Sequence, residues 1–172
     1  GKGQVLIGSF QGTSGGDGNT GAYIADFVLA ARLVKETGAT ILEVNLSCPN
    51  EGSAHLLCFD LERSARVVQA IKNEIGNTPL IIKVAYFHDA GQFRKLMGLL
   101  GKMVQGVAAI NTIPAKIVDE KGRQILGKER PISGVGGSAI RWAGLEMTGR
   151  LKKIREENGY KYKIIGVGGV MG

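Results

Sequence analysis

The chain has 172 residues, of which 44% are apolar and 22% charged, enough for one domain with a real core and ordinary for a globular protein. Its formal charge is +7, but Lys and Arg are scattered; the densest cluster, Lys152-Lys153-Ile154-Arg155, runs straight into Glu156-Glu157 as a solvated helix end would, and aromatics interleaved with basic residues are absent, which argues against a nucleic-acid partner. No apolar run reaches the length of a membrane span, and two cysteines without a secretory segment point to a reducing compartment, the cytoplasm.

Val5-Leu6-Ile7-Gly8-Ser9-Phe10 is the first short apolar segment and reads as a strand. Ile24, Phe27, Val28, Ala31 and Val34 recur at helical spacing and predict a helix over 22–37, with Gly38 as its stop. Ile41-Leu42-Glu43-Val44-Asn45 reads as the second strand. Asp60 is the expected N-cap of a second helix, with Leu61, Ala65, Val68, Ile71 and Ile75 on one face. Leu80-Ile81-Ile82-Lys83-Val84 is the third strand, residues 92–102 the third helix, and Gly106-Val107-Ala108-Ala109-Ile110 the fourth strand.

Residues 114–134 form an insertion with too little apolar content to be a domain. Within it, Lys116-Ile117-Val118 and Gln124-Ile125-Leu126 flank Asp119-Glu120-Lys121-Gly122 as a surface hairpin would. Ser138 is expected to cap a fourth helix that runs to about Glu157 and ends at Asn158-Gly159. Lys163-Ile164-Ile165-Gly166-Val167 is the fifth strand. The chain starts at Gly1 without Met and stops at Gly172 just after a strand, as a piece of a larger protein would.

The strand candidates are near-continuous apolar runs, the pattern of strands buried on both faces. Their alternation with helices implies parallel strands joined by right-handed crossovers. Four of them end in polar or Gly-rich residues. The second runs into Asn45-Leu46-Ser47-Cys48-Pro49-Asn50, the third carries Lys83, the fourth leads to Asn111-Thr112, and the fifth to Gly168-Gly169. Singly, each has a plain explanation: Lys83 reaching solvent, Asn111 and Thr112 bonding local backbone, the glycines making a turn. Jointly they favour a β/α barrel, in which all strand C-termini share one face that holds the site. An open doubly wound sheet concentrates its ligand at one switch point.

The Asn/Cys turn combines carboxamides, a hydroxyl and a thiol that can act as base or nucleophile once its proton is labile. Ser133-Gly134-Val135-Gly136-Gly137-Ser138 is a second Gly-rich loop, and with Gly168-Gly169 it suggests a two-loop phosphate grip. A modest positive field suits an anionic substrate or a phosphate cofactor. Cys48 and Cys58 with His55 and His88 lack the close cysteine pair of a zinc site, so no metal is expected.

Asn45-Leu46-Ser47-Cys48-Pro49-Asn50 resembles the signature turn of the class 1 dihydroorotate dehydrogenases, to which a domain of dihydropyrimidine dehydrogenase is related. The likeness continues in order through Ile82-Lys83-Val84, Ile110-Asn111-Thr112-Ile113, Gly134 to Ile140 and Ile164 to Gly169. The resemblance implies an α/β fold, a TIM (β/α)8 barrel of which this chain covers about five strands, with residues 1–172 part of a single FMN-binding domain. It implies oxidation of dihydroorotate to orotate, or the chemistry of a related dihydropyrimidine, with hydride passing from C6 to flavin N5. Asn45 would contact flavin and substrate; Asn50, Asn111 and Thr112 would bind the pyrimidine. Lys83 and Ile110 would lie at the flavin, and Gly137, Gly168 and Gly169 would hold its phosphate. Cys48 would take the C5 proton. In the dihydropyrimidine dehydrogenase domain the active cysteine lies further along the loop, which makes Cys58 a rival; its other reading is a small core residue. Ser133 stands where these proteins commonly have the first of two glycines. The resemblance also suggests a homodimer and an electron-transfer subunit as partner. A barrel that binds phosphate without redox chemistry is the competing reading.

Overall fold

The computed structural model describes residues 3–13, 19–48, 56–127 and 130–170. Strands β1 (Ile7–Phe10), β2 (Ile41–Asn45), β3 (Leu80–Val84), β4 (Gly106–Ala109) and β7 (Lys163–Gly166) form a five-stranded sheet in that order, every neighbouring pair parallel. Helices α1 (Thr20–Glu36), α2 (Leu61–Ile75), α3 (Ala90–Leu100) and α4 (Arg141–Asn158) fall between the strands. The strand order never reverses, so the sheet has no switch point of the doubly wound kind. It is an arc of a β/α barrel.

The register shows which residues share a face. Leu42, Leu80, Ile82, Val84, Val107 and Ala109 join one apolar cluster with Phe27, Val68, Ile71, Phe93, Leu96, Met147 and Leu151 of the helices. Burying each such Leu, Ile or Phe contributes about 1.5–3 kcal/mol, and this face holds the arc together. The opposite face carries Ser9, Glu43, Asn45, Ile81 and Lys83. Of these only Ile81 is buried, and Ala108 of β4, opposite Lys83, is buried on the same face. The expectation of strands buried on both faces holds for β3 and β4, whose residues are buried on both sides except for the half-buried Lys83. It is corrected for β1 and β2, where Ser9, Glu43 and Asn45 alternate with the apolar side chains and leave that face partly open.

Helix boundaries follow their caps. The Asn19 side chain accepts from Ala22 N–H, so α1 starts at Thr20 and buries Tyr23, Phe27 and Ala31. The Asp60 carboxylate accepts from Arg63 N–H as expected. Helix α3 starts ahead of the expected 92 because Asp89 accepts from both Gly91 N–H at 2.6 Å and Gln92 N–H at 3.2 Å. Asp89→Ala is expected to destabilise the protein by about 1 kcal/mol, seen as a lower urea midpoint at unchanged slope.

Ser138 does not cap α4. Residues Gly137–Ile140 make a 3-10 turn that leads into α4 without a side-chain cap, and the helix ends at Gly159 in the left-handed conformation. The insertion is a hairpin, as expected, but its ladder lies at its base: β5 (Ile113–Ala115) pairs antiparallel with β6 (Ser133–Val135). Ser133 to Val135, expected as loop, are therefore strand. Further out, a single bridge links Val118 and Gln124, and the Asp119 side chain closes the turn by accepting from Lys121 and Arg123 N–H.

Candidate active site

The polar residues expected at the strand ends converge. At the end of β2, the side-chain oxygen Asn45 Oδ1 accepts from Ser47 N–H and Ser47 Oγ, each at 3.1 Å. From beyond β4, Asn111 Nδ2 lies within donating distance of the Ser47 carbonyl at 2.8 Å, Ser47 Oγ at 3.1 Å and Asn45 Oδ1 at 3.3 Å. The side-chain oxygen Asn111 Oδ1 accepts from Thr112 N–H at 2.9 Å. Backbone bonds seat both turns on β3: Leu46 N–H donates to the Lys83 carbonyl at 3.0 Å, and Asn111 N–H to the Val84 carbonyl at 3.0 Å. Ser47 is the hub, and at 2% exposure it is buried. A buried hydroxyl needs partners, and it has them at the end of β2, on β3 through the Lys83 carbonyl at 3.3 Å, and beyond β4.

Asn45 also donates from Nδ2 to Gln11 Oε1 at 3.2 Å, which brings the end of β1 into the same group. Lys83 does not simply reach solvent. Its Nζ donates to Glu43 Oε1 at 3.1 Å, and Ser9 Oγ donates to that same oxygen at 2.9 Å. The sequence alone assigns no role to Ser9, Gln11, Glu43 or Ser47. The available signal was period two: Glu43 precedes Asn45 by one pleat and so shares its face.

Thr112 packs its side chain against β6, where a Cβ built on Gly134 would lie 2.3 Å from Thr112 Oγ1. Ile110 is buried in the apolar cluster, and its N–H donates to the Val167 carbonyl at 3.3 Å. Pro49, Asn50 and His55 lie outside the described residues.

The two cysteines occupy different surroundings. Cys48 directly follows the Ser47 hub and is 8% exposed. Cys58 is fully buried in the apolar cluster, on the 3-10 turn Leu57–Phe59. That turn is clamped from both sides. Cys58 N–H donates to the Leu46 carbonyl at 2.8 Å, and Phe59 stacks edge-on against Phe87 with centroids 4.8 Å apart. Burial pushes the Cys58 thiol up to about 12, so it keeps its proton through the neutral range.

The glycine segments also meet. Gly168 and Gly169, with φ of 107° and 69°, sit against the start of α4. A Cβ on Gly169 would lie 2.6 Å from Arg141 Cβ and 3.0 Å from the Gly137 carbonyl oxygen, and one on Gly168 would lie 2.9 Å from Ile140 Cδ1. A side chain at either glycine is thereby excluded, so bare backbone forms this edge of the cradle, with the side chains of Ile140 and Arg141 against it. Beside it a hollow of about 220 Å³ is lined by Arg141, Gly144, Leu145 and Thr148 of α4 and by Gly166 to Val170. Bare backbone at a helix start fits a phosphate, and the partly buried Lys83 and Asn45 fit the polar edge of a flavin ring.

A one-directional parallel sheet with polar groups gathered beyond its strand ends defines the site-bearing segment of a β/α barrel. The chain belongs to the dihydroorotate dehydrogenase family: the family model described as Dihydroorotate dehydrogenase matches residues 9–172. It is 34% identical over 178 aligned positions to dihydroorotate dehydrogenase of Dictyostelium discoideum, covering 99% of this chain and 47% of that protein. It is 30% identical to the catalytic subunit of dihydroorotate dehydrogenase B (NAD(+)) of Desulforamulus reducens, covering 83% of this chain and 45% of the relative. The PreA subunit of NAD-dependent dihydropyrimidine dehydrogenase of Escherichia coli K12 is 29% identical, over 81% of this chain and 35% of the relative. The chain spans about half the length or less of these relatives. Among solved structures, DHODH of Eimeria tenella in complex with ferulenol superposes with a TM-score of 0.70 at 17% identity, over 92% of this chain and 45% of that one. That likeness bears on the fold, which is the barrel expected from the strand ends. Among the described residues no helix is long and apolar enough to cross a membrane.

Proposed function

We propose that the protein is an FMN-dependent oxidoreductase that oxidises dihydroorotate to orotate. The observation that carries this reading is the Asn45–Ser47–Asn111 network, built at the ends of β2 and β4 directly beside Cys48. FMN, when bound, supplies the hydride acceptor, leaving the protein to position both partners and handle one proton.

Asn45 and Asn111 hold fixed donor and acceptor positions toward a planar pyrimidine, with Thr112 alongside and Asn50 as a further contact. Lys83 faces the flavin ring, Ile110 flanks it, and Gly137, Gly168 and Gly169 hold the phosphate through backbone N–H groups. Cys48 takes the C5 proton as general base. The fully buried surroundings of Cys58 favour Cys48 over it for that task. The relatives' names, which include a catalytic subunit and a subunit of a dehydrogenase, support a partner subunit for electron transfer. A homodimer and a cytoplasmic location belong to the same reading.

The likeness to the PreA subunit favours a second reading, reduction of a uracil-like pyrimidine. Both are tested on the purified protein. Its visible spectrum is expected to show bound flavin, and dihydroorotate is expected to bleach it anaerobically faster than dihydrouracil. Faster bleaching by dihydrouracil selects the second reading. No flavin, and none taken up on adding FMN, overturns both.

A further inference from the structure

Glu43 is the charged residue of the inner face to which the proposed reaction gives no role. It sits on β2 opposite Ser9 of β1 and Ile81 of β3, one pleat below Asn45. Its Oε1 is shared: Ser9 Oγ donates to it from one side at 2.9 Å and Lys83 Nζ from the other at 3.1 Å. The Lys83 and Glu43 side chains are 22% and 14% exposed. This is not the solvated surface pair that contributes little. The charges are largely withdrawn from water, where screening is weaker. A free lysine is a point charge on a flexible four-carbon stem; this one is tethered to a carboxylate that is itself tethered to a third strand. The three residues tie β1, β2 and β3 together at one level, just beneath the Asn45 network.

We propose that Glu43, braced by Ser9, is a positioning residue that aims Lys83 at the flavin ring and offsets part of its positive charge. Glu43 thereby sets how strongly the site favours reduced flavin. The inference rests on the FMN reading above. Reduction adds negative charge to the ring, so a cation beside it favours the reduced form and a carboxylate behind that cation opposes it. Glu43→Gln keeps the volume and an acceptor oxygen for Ser9 and Lys83 but removes the negative charge.

Two measurements decide it. In flavin-loaded protein, Glu43→Gln is expected to shift the reduction equilibrium about tenfold toward reduced FMN, a rise of about 30 mV for a two-electron couple. In protein stripped of flavin, labelling by an amine-directed reagent, mapped to Lys83 by mass spectrometry, is expected to be faster in Glu43→Ala than in wild type. A midpoint that stays at the wild-type value with flavin bound overturns the proposal, since a merely structural role would leave it there. Equal labelling of Lys83 in both proteins overturns it as well, with or without flavin. If wild type takes up no FMN, the cofactor reading falls separately, and the labelling arm still decides whether Glu43 holds Lys83.

Discussion

Cys48→Ser is expected to slow flavin reduction by dihydroorotate about 10²–10⁴-fold, the usual contribution of a positioned proton acceptor. Serine keeps the size and the place after Ser47 but does not give up its proton near neutral pH as a thiol can. FMN affinity is expected to stay near wild type, because the proposed phosphate cradle lies at Gly137, Gly168 and Gly169 on the far side of the arc. Single-turnover anaerobic bleaching separates the two effects: the rate falls while the bound flavin content holds.

Cys58→Ser is the matched control. Cys58 is fully buried among apolar side chains, and burial holds its thiol at about 12. A hydroxyl there costs stability, about 1–3 kcal/mol, but the bleaching rate per folded molecule is expected to be unchanged. A Cys48→Ser variant with wild-type rate, together with a slow Cys58→Ser, would move the proton transfer to Cys58.

The strands and helices were readable because their local signals agree. Alternation of β-branched runs with capped amphipathic helices left one class of topology, and the four polar strand ends chose the barrel over the open sheet. What was not readable is informative. Ser138 looked like a cap by residue type alone, yet the chain enters α4 through a 3-10 turn without a side-chain cap. Strand β6 is too short, and too rich in glycine, to show a period of its own; it exists because Ile113–Ala115 lies opposite to pair with it. Lys83 was legible as an unusual residue, but its partner was not. Glu43 is far from it in sequence, and only the register of β2 against β3, with Ser9 on the other side, brings the three together. Ser47 was in view within the turn, but its role as hub depends on Asn111 arriving from β4, a contact that no local pattern encodes.

That contact gives the second large effect. Asn111→Asp is expected to lower kcat/KM for dihydroorotate about 10²–10³-fold, at a stability cost of about 1–3 kcal/mol or more. The substitution changes almost no volume. It replaces the donating Nδ2 by an acceptor oxygen. That atom lies 2.8 Å from the Ser47 carbonyl and 3.3 Å from Asn45 Oδ1, so two attractive contacts become repulsive. Ser47 Oγ, at 3.1 Å from the same atom, can turn its proton toward the new oxygen, but only by withdrawing it from Asn45 Oδ1 and the Lys83 carbonyl. The Thr112 N–H contact at 2.9 Å survives, because a carboxylate oxygen accepts there as the amide oxygen did. The damage is therefore directed at the junction between the Asn45–Cys48 turn and the end of β4. A negative charge is added where an anionic substrate is proposed to bind. Asn111→Ala removes the contacts without the repulsion or the charge, and its loss is expected to be smaller. Steady-state kinetics with flavin content held constant, alongside urea unfolding, separates the outcomes. If Asn111 only braced the fold, both variants would lose stability with unchanged kcat/KM per folded molecule. If it positions substrate, Asn111→Asp falls furthest in kcat/KM, chiefly through KM.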